Sequence, residues 1–317
     1  MALVSEHRKM RVATKDVAAD GVVTLTLTDV DGAVLPEWAP GAHIDLGVAE
    51  DIVRQYSLCG DPADRDHYRV AVLREPNGRG GSAAVHERVE VDDVLDVQGP
   101  RNHFPLVPAA SYLFIAGGIG ITPMMPMMRA ATIAGADWSL LYGGRTGSGM
   151  AFADELSEQY PGRVTMRPQD EYGLLDLAGA LDALAPGSLV YCCGPEPLLL
   201  ALESLCHQKN IELHLERFAP KVIEVTGKDT TFDVVLEQSG TTITVDESES
   251  ILDALLREGV DIDFSCREGT CGTCETAVLD GEPDHRDSVL TEDEQAENDC
   301  MMVCVSRSCS KKLVLDL

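Results

Sequence analysis

Positive charge is scarce in this 317-residue chain: 25 Lys and Arg stand against 53 Asp and Glu, a formal net charge of −28. That balance disfavours nucleic acid and anionic membrane surfaces as partners. Long apolar runs are missing as well. The longest, Leu113 to Met128, carries three Gly and two Pro and is too short and too interrupted to span a membrane. The opening residues, MALVSEHRKM, lack the apolar core of a secretory leader, and the chain shows no internal repeat or low-complexity tract. Ten cysteines without such a leader suggest a reducing compartment, so a cytoplasmic protein is expected. An apolar fraction of 44% suffices for packed cores, and the length suggests two or three domains.

What the chain does have is a cysteine pattern. Cys266, Cys271 and Cys274 in FSCREGTCGTC follow a C-x4-C-x2-C spacing, and Cys304 lies 30 positions further on. This is the plant-type [2Fe–2S] ferredoxin spacing, in which one tight loop supplies three thiolates and a distant segment closes the cage. Gly269 and Gly272 relieve backbone crowding in that loop. A zinc site would call for a second paired hook, which is missing. Cys300 and Cys309 flank Cys304 as rivals for the fourth ligand, but the spacing favours Cys304. From Asp229 onward the chain holds 22 acidic and 6 basic residues, a net of −16 against −12 for everything upstream. This is either a solvated surface or a docking face for a basic redox partner.

The rhythm of the chain changes twice. Up to about residue 105 it reads as short strands, among them Thr24–Thr28, Val53–Leu58 and Tyr68–Leu73, separated by Gly, Pro and Asp clusters, which suggests a small barrel. A helix is expected at Ala83–Arg88 with Ser82 as its N-cap. From Ser111 strands (Tyr112–Ala116, Trp138–Tyr142, Arg163–Met166, Leu189–Cys193) alternate with helical stretches (Ala153–Tyr160, Leu174–Leu184, Pro197–Gln208), which implies a parallel sheet covered on both faces. After a linker come a hairpin (Phe232–Leu236, Thr241–Val245), a helix at Ile251–Glu258 capped by Ser248 and ended by Gly259, the cysteine loop, a strand at Thr276–Leu279, and a capping box of Thr291 with Glu294.

Four further motifs carry chemistry. In RQYSL, strand alternation puts Arg54 and Tyr56 on one face, where an aromatic ring can lie on a planar heterocycle and a guanidinium can pair with phosphate; Ser57 offers a hydroxyl to the ring edge. GRGGS (Gly78–Ser82) precedes a helix and lets backbone amides approach an anion, with Arg79 adding charge. GGIGITP (Gly117–Pro123) follows a buried strand and opens a helix, the context of a phosphate-binding turn, although it is not the strict G-x-G-x-x-G fingerprint. CCGP (Cys192–Pro195) ends another buried strand, at the edge where parallel sheets bind ligands. Taken singly, each motif also reads as ordinary strand, turn or buried cysteine; Cys192 fits the packing role better than Cys193.

In this order and followed by the ferredoxin cysteines, the motifs resemble the phthalate dioxygenase reductase family, including vanillate O-demethylase reductase-like proteins, over essentially the whole chain. The resemblance implies a multidomain α/β and α+β protein: an FMN-binding antiparallel β-barrel (1–107), a parallel α/β NAD-binding domain (108–222), a linker (223–230) and a plant-type [2Fe–2S] ferredoxin domain of β-grasp type (231–317). It implies that Arg54, Gln55, Tyr56 and Ser57 contact the flavin and that Arg79, Gly80, Gly81 and Ser82 hold its phosphate. Gly118, Gly120, Thr122, Pro123 and Gly194 would form the nucleotide site, with Cys193 near the nicotinamide. Ser57 and Cys193 are then the residues nearest the chemistry, and Glu216 and Phe218 lie close to the flavin. Arg145 after the second strand could favour NADPH through a 2′-phosphate, whereas the family resemblance favours NADH. The implied activity is hydride transfer from NADH to FMN and single-electron transfer through the cluster, held by Cys266, Cys271, Cys274 and Cys304, to a Rieske-type oxygenase component. FAD in place of FMN, a flavin reductase serving small acceptors, and a redox sensor remain alternatives.

Overall fold

The protein, described here from a computed structural model, is defined at residues 7–50, 52–221 and 229–317. It divides into two compact units, Met1–Glu216 and Arg217–Leu317.

The first unit begins with six antiparallel strands: β1 (His7–Ala19), β2 (Val22–Asp29), β3 (His43–Ala49), β4 (Ile52–Ser57), β5 (Tyr68–Leu73) and β6 (Val94–Arg101), in the order β4-β3-β6-β1-β2-β5. A single bridge, Leu58 to Val70, brings the two edges together and curls the sheet into a barrel. Alternate residues such as Met10, Val12, Leu25, Leu27, Ile44 and Leu46 fill its interior. Helix α1 (Gly81–Glu87) lies across this sheet after β5. It starts two residues earlier than Ser82 would cap it: Gly80, at φ 83°, is the N-cap, and the Ser82 hydroxyl instead accepts from Glu75 N at 3.0 Å.

The rest of the unit is a parallel sheet of β7 (Ser111–Gly117), β8 (Asp137–Gly144), β9 (Val164–Pro168), β10 (Leu189–Cys193) and β11 (Leu213–Glu216), in the order β11-β10-β7-β8-β9. β7 and β10 are near-continuous apolar runs because helices bury both of their faces. Side chains of α2 (Met124–Ile133) and α3 (Ala153–Gln159) share one cluster with Phe114, Tyr142 and Cys193. Those of α5 (Leu177–Asp182) and α6 (Glu196–Lys209) share the opposite one with Ile115, Val190 and Cys192. The one-turn α4 (Gln169–Tyr172) follows β9. Two tyrosines hold the segment joining barrel to sheet: Tyr191 donates to Pro105 O (3.0 Å) and accepts from Val107 N (2.8 Å), while Tyr112 donates to Val107 O (2.9 Å).

The second unit carries a mixed sheet, order β13-β12-β18-β14-β16, of β12 (Phe232–Leu236), β13 (Thr241–Val245), β14 (Glu275–Asp280), β16 (Cys300–Met302) and β18 (Lys312–Leu315), with a small pair of β15 (Pro283–Asp284) and β17 (Arg307–Ser308). Helix α7 (Ile251–Arg257) buries Ile251, Leu252, Ala254 and Leu255 against it, a β-grasp arrangement. Its N-cap is Ser250, which accepts from Asp253 N, and not the expected Ser248. The capping box of Thr291 and Glu294 on α8 (Glu292–Glu297) is present as expected. Most of the expected linker, residues 223–228, lies outside the described residues, as do residues 1–6 of the barrel region. No described helix is long and apolar enough to cross a membrane.

Candidate functional site

In the parallel sheet the connections run one way from β7 to β8 and β9 and the other way to β10 and β11, so the order reverses between β7 and β10. Ligands bind at the carboxyl ends of strands beside such a reversal. Here that edge is built from glycine. A Cβ on Gly120 would stand 2.1 Å from Cys193 O, and one on Gly117 would stand 2.6 Å from Pro195 Cδ, so the two turns close on each other only because side chains are missing. Gly118, at φ 57°, faces open space. Thr122 is only 2% exposed and its hydroxyl donates to Ile119 O at 3.0 Å, so it caps the turn from inside. Pro123 is buried at the N-cap of α2. Cys193 has no solvent exposure, and burial, with the Glu216 charge second, holds its thiol well above the usual range. Arg145 is exposed just beyond β8.

On the barrel, β4 pairs with β3 so that Arg54 stands opposite Leu46 and Tyr56 opposite Ile44, while Gln55 stands opposite Asp45. Arg54 and Tyr56 therefore share a face, as alternation requires, and Gln55 turns away to donate to Asp45 Oδ1 at 3.0 Å. Asp45, 1% exposed, is ion-paired with Arg101 of β6. Arg54 reaches across to the GRGGS turn: its guanidinium donates to Arg79 O at 2.9 Å, and its side chain fills the space that a Cβ on Gly81 would need, at 2.5 Å. Tyr56 is half-buried against the barrel core, and burial pushes its hydroxyl up to about 12. A half-buried ring, a guanidinium, and glycines at Gly80 and Gly81 form a cradle that fits a flavin with its phosphate at the turn.

The two regions meet at Glu216. Its carboxyl group is buried, which raises its pKa from 4.5 to about 8, and it accepts a hydrogen bond from Ser57 that works against that rise. Glu216 Oε2 is buried without a hydrogen-bond partner among the described residues. In the β10–β11 register Glu216 stands directly beside Cys193. Ser57, Glu216, Cys193 and Gly120, three of them in separate sequence motifs, are thus brought to one place. Phe218 belongs to the second unit and is 47% exposed.

In the second unit Cys266, Cys271, Cys274 and Cys304 are all buried free thiols. Cys266 hydrogen-bonds with Cys271 and Cys304, and Cys274 with Cys304; these contacts, with the Glu268 and Thr270 amides on Cys266 Sγ at 3.3 and 3.4 Å, hold Cys266 below the usual thiol range. Cys274 is lowered by the Cys304 contact. Among the described residues no group of three or more His, Cys, Asp or Glu suits a single metal ion. The contacts instead link the four thiols in a chain, Cys271–Cys266–Cys304–Cys274, so that all four converge on one small volume, as a [2Fe–2S] cage needs. Positive φ at Gly269 and Gly272, 67° and 70°, makes the loop possible. Cys300 instead stands among acids, with Glu275, Asp299 and Glu294 near its thiol, and Cys309 is exposed and donates to Pro283 O at 3.8 Å.

Sequence reasoning missed Asp45, which accepts from Gln55, and Arg101, which pairs with Asp45. Only cross-strand register reveals that pair.

Comparisons with known proteins agree with this geometry. Residues 234–309 match the 2Fe-2S iron-sulfur cluster binding domain, and residues 114–203 the oxidoreductase NAD-binding domain. The chain is 43% identical to the phenoxybenzoate dioxygenase subunit beta of Ectopseudomonas oleovorans over 97% of both chains. It is 38% identical to the phthalate dioxygenase reductase of Burkholderia cepacia, covering 98% of this chain and 97% of that one. A solved phthalate dioxygenase reductase, described as modular and transferring electrons from pyridine nucleotides to [2Fe–2S], matches at TM-score 0.71 and 37% identity, covering 98% of both chains. An intact type IV self-sufficient cytochrome P450 monooxygenase matches at TM-score 0.91 and 44% identity, covering 98% of this chain but 41% of that one. The present chain therefore spans about two fifths of the P450 chain's length.

Proposed function

Since the chain belongs to the phthalate dioxygenase reductase family, we propose that it is the reductase of a two-component oxygenase system, taking hydride from NADH onto FMN and passing single electrons through a [2Fe–2S] cluster to a separate Rieske-type oxygenase. The observation that carries this reading is the meeting of Ser57 and Cys193 at Glu216, which joins the flavin cradle to the nucleotide edge in a chain that also holds a four-thiol cage. Bound flavin supplies the change from two-electron to one-electron transfer, which is the reason to fuse these modules.

The chain's own part is positioning. Tyr56 offers its ring to the flavin, and Arg54 holds the Gly78–Ser82 turn where the phosphate ends, with Arg79 and Ser82 beside it. FMN is preferred to FAD because the turn sits against the barrel. Gly118, Gly120 and Gly194 admit the nucleotide backbone, and Thr122 and Pro123 shape the turn beneath it. Cys193 and Glu216 floor the site, keep water out and, through Ser57, orient a hydroxyl toward the flavin edge. Glu216, protonated at neutral pH by its burial, adds no charge there. NADH is preferred because Arg145 stands exposed beyond β8 with no second basic residue beside it in GGRTGSG. Cys266, Cys271, Cys274 and Cys304 ligate the cluster. The domain limits 1–107, 108–222, 223–230 and 231–317 belong to the same proposal, as does a cytoplasmic location, which suits ten free thiols.

An anaerobic NADH titration followed by visible absorbance tests the path. Flavin bleaching with loss of the iron–sulfur bands supports it; bleaching while those bands persist points to a flavin reductase instead. Cys271→Ser should abolish electron export and leave flavin reduction by NADH intact, and loss of both would show the cluster to be structural. A second reading follows from the P450 likeness: the terminal acceptor is a haem. Reconstitution with a Rieske oxygenase and with a P450 haem domain decides between the two.

A further inference from the structure

Arg267 follows the first cysteine of the cage and holds a φ of 56°. Left-handed backbone is disfavoured roughly tenfold for a residue with a Cβ, and Arg lacks the short polar side chain with which Asn eases it. Such strain persists only where the surroundings hold it in place. Two contacts do so here. The guanidinium lies over the Phe264 ring, 4.6 Å from its centroid, and Nη1 donates to Asp253 Oδ1 at 2.9 Å. Both supports are themselves fixed. Phe264 packs against the core of the second unit. Asp253 sits in the first turn of α7, where its amide donates to Ser250 Oγ at 3.0 Å and its Oδ2 accepts from the same hydroxyl at 2.7 Å. The Arg267–Asp253 pair is about half exposed, so cutting it costs the fold little.

The effect of this hold falls on the next residues. With Arg267 and Gly269 both left-handed, the chain turns back on Cys266, and the amides of Glu268 and Thr270 donate to its Sγ at 3.3 and 3.4 Å. Left-handed residues in a turn gather amides into an anion-binding concavity. Gly269 adopts that conformation freely, whereas Arg267 adopts it only while it is held. We infer that Arg267, held by Asp253 and Phe264, is a positioning residue for the reduction potential of the cluster: it keeps two amides on Cys266 Sγ, where they favour the added negative charge of the reduced state. The inference rests on the cluster ligation proposed above. Hydrogen bonds to ligating sulfurs are one of the levers that set such potentials. Loosening these two shifts the one-electron equilibrium toward the oxidised state by roughly tenfold.

The test compares full-length holoprotein with the Arg267→Gly, Arg267→Ala and Asp253→Ala variants. The cluster potential is read by anaerobic spectroelectrochemistry, and the Glu268 and Thr270 amides by hydrogen exchange. Gly and Ala remove the same charge and the same contacts and differ only in the cost of a positive φ. Arg267→Ala should therefore lie below Arg267→Gly by roughly tenfold in the one-electron equilibrium, about 59 mV, with faster exchange at both amides. Asp253→Ala should also lower the potential, although removing a negative charge acts through space to raise it. In the Arg267→Gly background the same substitution should lower nothing. Equal potentials and equal exchange in the Gly and Ala variants overturn the inference, and so does a rise in Asp253→Ala. If Arg267→Ala does not fold, the sign of the Asp253→Ala shift decides alone, since Ser250 Oγ still caps the backbone amide of residue 253 in that variant. Failure of the ligation itself looks different: the unmodified protein would then show no reducible iron–sulfur spectrum.

Discussion

Glu216 concentrates the electrostatics of the first unit in one side chain. Its folded pKa of about 8 stands above the ordinary 4.5, so between those values the folded protein binds more protons than the unfolded chain. Stability from this group is complete below pH 4.5 and is lost as pH rises through 8. Glu216→Gln should therefore flatten the decline in melting temperature across that window; an unchanged slope would show that another group titrates there. Arg54 poses a separate question, because its guanidinium both braces the turn at Arg79 and is offered to phosphate. Removing a charged hydrogen bond of this kind costs about 1.5–3 kcal/mol, so Arg54→Ala should weaken FMN retention by roughly 10- to 100-fold, read from flavin content after dialysis. At this scale the sequence was most legible where the residues of one motif come together, as the three loop cysteines do. Asp45 and Arg101 were not, since nothing local to HIDLG or GPRNH says that β3 and β6 will be neighbours.

Elements repeat that lesson. The limits of β5, β10, β12 and β13 coincide with the sequence expectation because each is a short apolar or alternating run between clear breakers. The start of α1 and the cap of α7 do not coincide. Ser82 and Ser248 are competent caps by type, but the chain reaches helical geometry at Gly80, through a left-handed residue, and at Ser250. The long β1 was not singled out, since HRKMRVATKDVAA spreads its apolar residues among charges and owes its strand form to β2 and β6 on either side. The turn after β7 gives an element-scale prediction that separates space from conformation. Gly120→Ala drives a methyl into Cys193 O and should cost about 1–3 kcal/mol through overpacking, with NADH binding impaired. Gly118→Ala meets no atom but must hold a positive φ, at a cost of about 1–2 kcal/mol. Chemical denaturation of the pair, with NADH titration, checks the order.

For the whole molecule the sign of the charge matters more than any one pair. The segment from Asp229 onward carries net −16, and a basic acceptor meeting it should be steered there at low salt. Reduction of the oxygenase component should slow as ionic strength rises through the range where the screening length shrinks to about 8–10 Å, while NADH-driven flavin bleaching in the same protein stays constant. A rate indifferent to salt would remove electrostatic docking from the account. The three-part plan was legible from motif order, whereas the ties of Lys221 to Ser288 and of Asp229 to Arg286, 67 and 57 positions apart, leave no local mark in the sequence.

The cage also has an order of maturation written into it. Cys266, Cys271 and Cys274 lie within nine residues, but Cys304 follows β16, whose pairing of Ala277, Thr276 and Glu275 with Cys300, Met301 and Met302 carries Val303 onto Cys274 O. Three thiols exist together as soon as the loop is synthesised; the fourth arrives only when the strands on both sides have found each other. Closing the cage with its fourth thiol therefore waits on a ferredoxin unit whose strands have already paired.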